Sequence, residues 1–213
     1  MDLTLAPTPA NSASDWRDGF LFVGNQASLD FLNTRPVQNG AAMEFLPDFG
    51  AVLRWFRASG LVPAHEGKEL ERPLIKSERA VQFLRSLTEF RERLRKAVIA
   101  WEQRGEVPKP MVTELNQLLQ KYPMLTKLSA DGTATDLWFQ AREPEDLYAP
   151  LAHSAAMLFA KADRSRVRQC GHCVLHFLDT SKKGTRRWCS MQLCGNRLKV
   201  AAYAKRQQRH RAR

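Results

Sequence analysis

Apolar positions recur along this chain at two periods, and the switches between them mark out its elements. Gly19-Phe20-Leu21-Phe22-Val23-Gly24 is an apolar run between glycines and predicts a strand. In residues 25–34, Leu29 and Leu32 fit a short helix capped by Asn25, and residues 36–47 read as a loop. Residues 48–60 predict a helix, with Val52, Leu53, Trp55 and Phe56 as its apolar stripe, Asp48 as cap and Gly60 at its end. The longest predicted helix spans residues 77–104. Val81, Leu84, Leu87, Leu94, Val98 and Trp101 share its inner face, Ser77 caps it, and Gly105, Pro108 and Pro110 stop it. Met111, Leu115, Leu118 and Leu119 repeat the helical pattern over residues 110–122. Residues 124–129 and 133–140 are β-like around Ala130-Asp131-Gly132, a hairpin signal. Residues 145–162 predict a last helix with Leu151, Ala155, Leu158 and Phe159 inward. Trp16, Trp55, Trp101 and Trp138 read as core residues, and His153 as a core histidine.

Charge divides this picture in two. The chain has 33 Lys and Arg against 22 acids, a net charge of +11. Residues 161–213 hold 15 of those bases and 2 of those acids, so the first 160 residues are nearly balanced. Clustered positive charge is the footprint of a polyanionic partner. No stretch has the roughly 18 consecutive apolar residues of a membrane span, so no membrane partner is expected. Residues 1–15 lack the basic start and apolar run of a signal peptide, which predicts a cytoplasmic protein; their Pro, Ser and Ala content predicts a disordered tail.

All four cysteines, Cys170, Cys173, Cys189 and Cys194, lie in the basic region, spaced C-x2-C, 15 residues, C-x4-C. Two close pairs across a loop can surround one tetrahedral zinc ion, and four thiolates leave no open position, so the zinc would be structural. Buried reduced thiols and disulfides are the alternatives. His172 and His176 read as loop residues or as donors supporting the ligands. Residues 174–179 read as a strand beside the metal. Residues 180–187 then form a basic turn around Gly184, from which Lys182, Lys183, Arg186 and Arg187 would project. After Asn196, a good N-cap, residues 197–213 contain no Pro or Gly and predict a helix. Lys199, Tyr203, Arg206, His210 and Arg213 share one face, and Arg197 lies in the first turn. These residues, with the turn, are the expected nucleic-acid contacts; a frayed basic tail is the alternative.

Residues 188–197, Trp-Cys-Ser-Met-Gln-Leu-Cys-Gly-Asn-Arg, resemble the signature of the CGNR zinc finger, and the likeness extends upstream through Phe177-Leu178-Asp179-Thr180-Ser181, Cys173 and Cys170. Ser28-Leu29-Asp30-Phe31-Leu32-Asn33-Thr34-Arg35 resembles the LDFxNT-type motif of the domain that accompanies this finger, the ABATE domain. The resemblance implies a bacterial, stress-related, DNA-binding regulator with four cysteine ligands and no established reaction.

The fold class expected is therefore α+β: a disordered tail over 1–15, a mostly helical main domain with one or two short β elements over 16–165, and a small zinc-binding module over 166–213 ending in a basic helix. No nucleophile elbow, phosphate-cradling glycine loop or metalloprotease helix is present in the sequence, which predicts a protein that is not an enzyme. Asp30 and Asn33 interrupt an apolar segment. They read either as partners of nearby backbone or as the polar groups of a ligand pocket for a small-molecule effector. The leading reading is a transcription regulator that binds DNA through the zinc module. A module gripping an acidic protein, and an enzyme with its pocket in the main domain, are the alternatives.

Overall fold

The computed structural model describes residues 15–38, 41–63, 77–131, 134–171 and 173–195. The tail expected over 1–15, all but Asp15, and the basic helix expected over 197–213 lie outside the described residues, as does His172.

The chain opens with a short hairpin, β1 (Trp16–Arg17) and β2 (Phe20–Leu21), in which Trp16 pairs with Leu21. Gly19, at φ 76, turns the corner. Helix α1 (Ala27–Leu32) follows. Its cap is Gln26, whose side chain accepts from Ser28 N, and not the expected Asn25, whose own backbone is left-handed. A two-residue ladder, β3 (Val37–Gln38) with β4 (Ala41–Ala42), occupies the segment expected to be loop. Backbone bonding closes it, Met43 N to Pro36 O at 2.9 Å, so no side-chain alternation announces it.

Helix α2 (Phe49–Ala58) starts at Asp48, which accepts from Ala51 N. Helix α3 (Glu78–Arg104) starts at Ser77 and ends on left-handed Gly105, as its punctuation predicts. Its stripe is shifted at the start: Val81 is 58% exposed, and Phe83 is buried in its place. Helix α4 (Lys109–Lys121) and the hairpin β5 (Thr126–Asp131) with β6 (Ala134–Phe139) fall within a few residues of expectation. The last helix begins as a 3-10 turn, Pro144–Leu147, where Asp146 accepts from the N–H groups of Arg142 and Glu143. It continues as α5 (Tyr148–Lys161).

The main core gathers around α1. Phe31, Trp55, Phe56, Phe90, Leu94 and Leu151 are all buried there. Trp55 and Trp101 are core residues as expected, but Trp16 is 44% exposed and tilts against Phe45. His153 is half-buried. Helix α1 itself is buried from Ser28 to Leu32 because α3 and α5 cover it on one side, and on the other the strand β8 (His176–Leu178), which pairs with β7 (Val167–Gln169). Its polar atoms therefore need protein partners. Ser28 N bonds to Ser154 Oγ at 3.0 Å, and Gln26 reaches Ser154 O at 2.6 Å.

A second core belongs to the cysteine module, and it also draws on residues from the start of the chain. Cys170, Leu175, Phe177, Cys189 and Cys194 pack with Leu21 and Val23 from the start of the chain. Leu178 N donates to Gly24 O at 2.8 Å, and Ser190 Oγ donates to the Asp15 carboxylate. Asp15, Leu21, Val23 and Gly24 thus serve as a wall of the module, while Phe20 and Phe22 turn to the main core.

Candidate metal centre and its basic loop

The four sulfurs meet where β7, the turn before β8 and the π-helical turn Met191–Gly195 converge. All four Sγ atoms lie within 4.8 Å of one another, with Cys173 and Cys189 at 3.3 Å and Cys189 and Cys194 at 3.8 Å. A tetrahedron of thiolates about 2.3 Å from zinc has edges of roughly 3.8 Å, so the spacing fits. The cysteines are free, which sets the disulfide reading aside.

The protonation of this cluster shows why it needs a cation. The Cys173 thiol is pulled down to about 5 by the hydrogen bond from Cys189 and by the Leu175 N–H, against a partial burial that opposes it. The hydrogen bond to Cys173 and burial push Cys189 up, and burial pushes Cys194 up to about 12. Cys173 is favoured as the thiolate while Cys189 and Cys194 are held protonated, because thiolates this close repel. A divalent cation removes that conflict and lets all four ionise. The set holds one structural zinc, with no position open for chemistry. Val174, directly after the first pair, sits at φ 57, a strained conformation for a β-branched residue that turns the chain back into β8.

The two polar residues of the α1 motif have their own partners. Asp30 Oδ1 accepts from Gly24 N at 2.7 Å. Burial pushes its carboxyl up to about 7, against the lowering effect of the Gly24 and Val23 N–H groups and of Arg17. The approach is so close that a Cβ on Gly24 would lie 2.8 Å from Asp30 N, so only glycine fits. Asn33 bonds to both backbone groups of His176: Nδ2 donates to the carbonyl and Oδ1 accepts from the N–H, each at 2.9 Å. Of the two roles open to them, these contacts are the backbone-bonding one. Both residues are buried: Asn33 ties α1 to the zinc module through His176, and Asp30 ties α1 to the start of the chain through Gly24. His176 is a buried strand residue, and burial, together with Arg95, pushes its imidazole down to about 4.

The basic turn is more organised than its sequence implies. Asp179 starts it, accepting from Ser181 N at 2.9 Å and Arg186 N at 2.8 Å. Burial raises this carboxyl's pKa, but those bonds outweigh it and hold the group below the usual range. Three arginines then take up the loop's carbonyls. Arg166 donates to Asp179 O at 3.1 Å and Ser181 O at 2.8 Å. Arg168 donates to Gly184 O at 2.7 Å and Arg186 O at 3.3 Å. Arg186 donates to Trp188 O at 2.8 Å and to Cys189 O, with its guanidinium 5.2 Å over the Phe177 ring. Arg186 is therefore a brace of the metal knuckle and not a projecting contact, which corrects the expectation drawn from its charge. Arg166, Arg168 and Asp179 were not singled out by sequence. The alternation of arginines before Cys170 is the only signal for Arg166 and Arg168, and Asp179 is marked only by its place in the Phe177–Ser181 segment. Lys182, Lys183 and Arg187 are exposed, as expected. Arg197, Lys199, Tyr203, Arg206 and His210 lie outside the described residues.

Residues 25–162 match the ABATE family, described as a putative stress-induced transcription regulator, and residues 166–207 match the CGNR zinc finger. Among curated proteins, none matches the chain. The first match covers well over half of the sequence, and the second contains all four cysteines that the structure brings together. The chain belongs to the ABATE family, with a CGNR zinc finger that forms a site for one structural zinc ion.

Proposed function

We propose that this protein is a DNA-binding transcription regulator whose zinc module makes the contact, and that it acts by binding and not by catalysis. One observation carries the reading. Six carbonyls of residues 179–189 are engaged by Arg166, Arg168 and Arg186, while Lys182, Lys183 and Arg187 are exposed. A loop whose acceptors are internally bonded and whose free side chains are cationic offers a phosphate backbone donors and positive charge, and little repulsion. The family's description as a regulator agrees with this role. The basic segment that follows adds Arg197, Lys199, Arg206 and His210 in sequence.

Fluorescence anisotropy on random-sequence duplex DNA at several salt concentrations tests it. Each phosphate contact adds about 0.9 to the slope of log affinity against log salt. Replacing Lys182, Lys183 and Arg187 together with Ala should weaken binding to every sequence and flatten the slope by up to about 2.7. Zinc content should be unchanged, since none of the three braces the knuckle. Binding that ignores salt and the triple substitution would remove DNA as the partner and leave an acidic protein as the leading reading.

A further inference from the structure

A cavity of about 330 Å³ lies at the seam between the helical body and the zinc module. That is within the range of roughly 300–1,000 Å³ typical of small-molecule sites, which favour such seams. Val37 of β3, Ile99 of α3 and His176 of β8 line it, so three separate parts of the chain build its wall. Arg35 and Arg95 also line it, against a single acid, Glu92. That one carboxylate is shared by three guanidiniums: Arg95 at 3.1 Å, Arg91 at 3.3 Å and Arg35 at 3.5 Å. The wall thus carries more positive charge than it neutralises.

His176 adds a second, independent sign. It is 1% exposed, and neither ring nitrogen has a hydrogen-bond partner among the described residues. A buried polar group left in that state is costly and calls for an explanation. Its backbone is fixed by Asn33, so the ring is held at the cavity's wall. The larger cleft alongside, about 760 Å³, has no such group. Of the arginines there, Arg91 and Arg93 are committed to Glu44 and Glu114, Arg85 stands at its rim, and Arg35 is shared with the seam cavity.

We infer that the seam cavity binds a small organic carboxylate with an apolar body. The carboxylate pairs with Arg35 and Arg95, the apolar part lies on Val37 and Ile99, and the site closes over His176. A ligand there touches α3 and β8 together, and through β8 the strand that enters the metal knuckle. This gives the body a route to bear on the module. The inference does not depend on the DNA reading, and its test contains no nucleic acid.

The probe is benzoate, titrated into the zinc-loaded full chain and followed by amide resonances, with benzyl alcohol as the uncharged match. Benzoate should shift the amides of Val37, Ile99 and His176 saturably, and benzyl alcohol at equal concentration should not. Arg35→Met should weaken benzoate about tenfold, the loss of one charge-assisted contact. Lys96→Met removes an equal charge from the same face of the molecule, beside the larger cleft, and should leave the affinity within about twofold. Failure of benzoate to saturate, equal binding of benzyl alcohol, or equal weakening by the two variants would each overturn the assignment.

Discussion

The helical body and the zinc module hold their shapes by different means. The body buries rings and branched chains: Phe31, Trp55, Phe56 and Phe90 are fully enclosed, and each such residue contributes about 1.5–3 kcal/mol. Around its sulfurs the module packs only Leu175 and Phe177 of its own as buried non-cysteine apolar residues among those described, since Val167 joins the main core, and it borrows Leu21 and Val23. It makes up the difference with ligation and with guanidinium–carbonyl bonds. A region built on apolar area degrades gradually when atoms are removed. One built on a metal and a few charged braces fails at particular atoms.

Metal removal should produce the largest separation between the two regions. Structural zinc contributes on the order of 10 kcal/mol in small finger domains. Chelation, or Cys189→Ser, should therefore unfold residues 166–195 while α3, α4 and α5 keep most of the far-ultraviolet helical signal. Leu21 and Val23 lose their covering at the same time, so the freed protein should also expose the start of the chain to protease near Phe22. Loss of the whole helical signal on chelation would mean that the body has no independent core. Undiminished protection near Phe22 would mean that β2 does not belong to the module.

This difference also explains what could be read from the chain. In the body, burial follows a 3.6-residue period over long helices, and Ser77, Asp48 and Gly105 punctuate them, so element types and ends were legible. Val81 failed because the first turn of α3 lies outside the covered face, which periodicity alone does not place. In the module, cysteine spacing disclosed the metal directly. The arginines did not declare their roles. A guanidinium bonded to carbonyls and one facing solvent have the same letter, and only the fold of residues 179–189 separates Arg186 from Arg187. Nor could spacing reveal that Asn33 bonds to His176, since the two are brought together by tertiary packing alone.

The packing of α1 against the start of the chain, which the module also uses, should depend on pH through Asp30. Its folded pKa, about 7, is raised above the ordinary 3.8 by burial. The stability it contributes is thus fully present below the unfolded value and is lost as pH rises through 7. The full span is up to about 4 kcal/mol, from roughly 1.4 kcal/mol per pKa unit. Melting of the zinc-saturated protein between pH 5 and 8, measured beside Asp30→Asn, isolates this term because acid release of zinc is common to both. The parent should lose ground to the variant as pH rises, and parallel curves would show that Asp30 titrates as an ordinary surface carboxyl.

The smallest expected effect is at Val174, where the module's reliance on ligation is tested against local backbone strain. A β-branched residue at φ 57 costs about 1–3 kcal/mol, and glycine adopts that conformation freely. Glycine also loses more freedom on folding, by about 0.5–1 kcal/mol. Val174 is 42% exposed, so little burial is forfeited. The balance favours Val174→Gly by about 1 kcal/mol, read as slower zinc transfer to a competing chelator. If the strain is tolerated only because zinc holds the knuckle, the gain should disappear when apo and zinc-loaded proteins are compared in the unfolding of the body alone. Faster zinc loss from the glycine variant would show instead that the valine side chain, and not its backbone, holds the turn into β8.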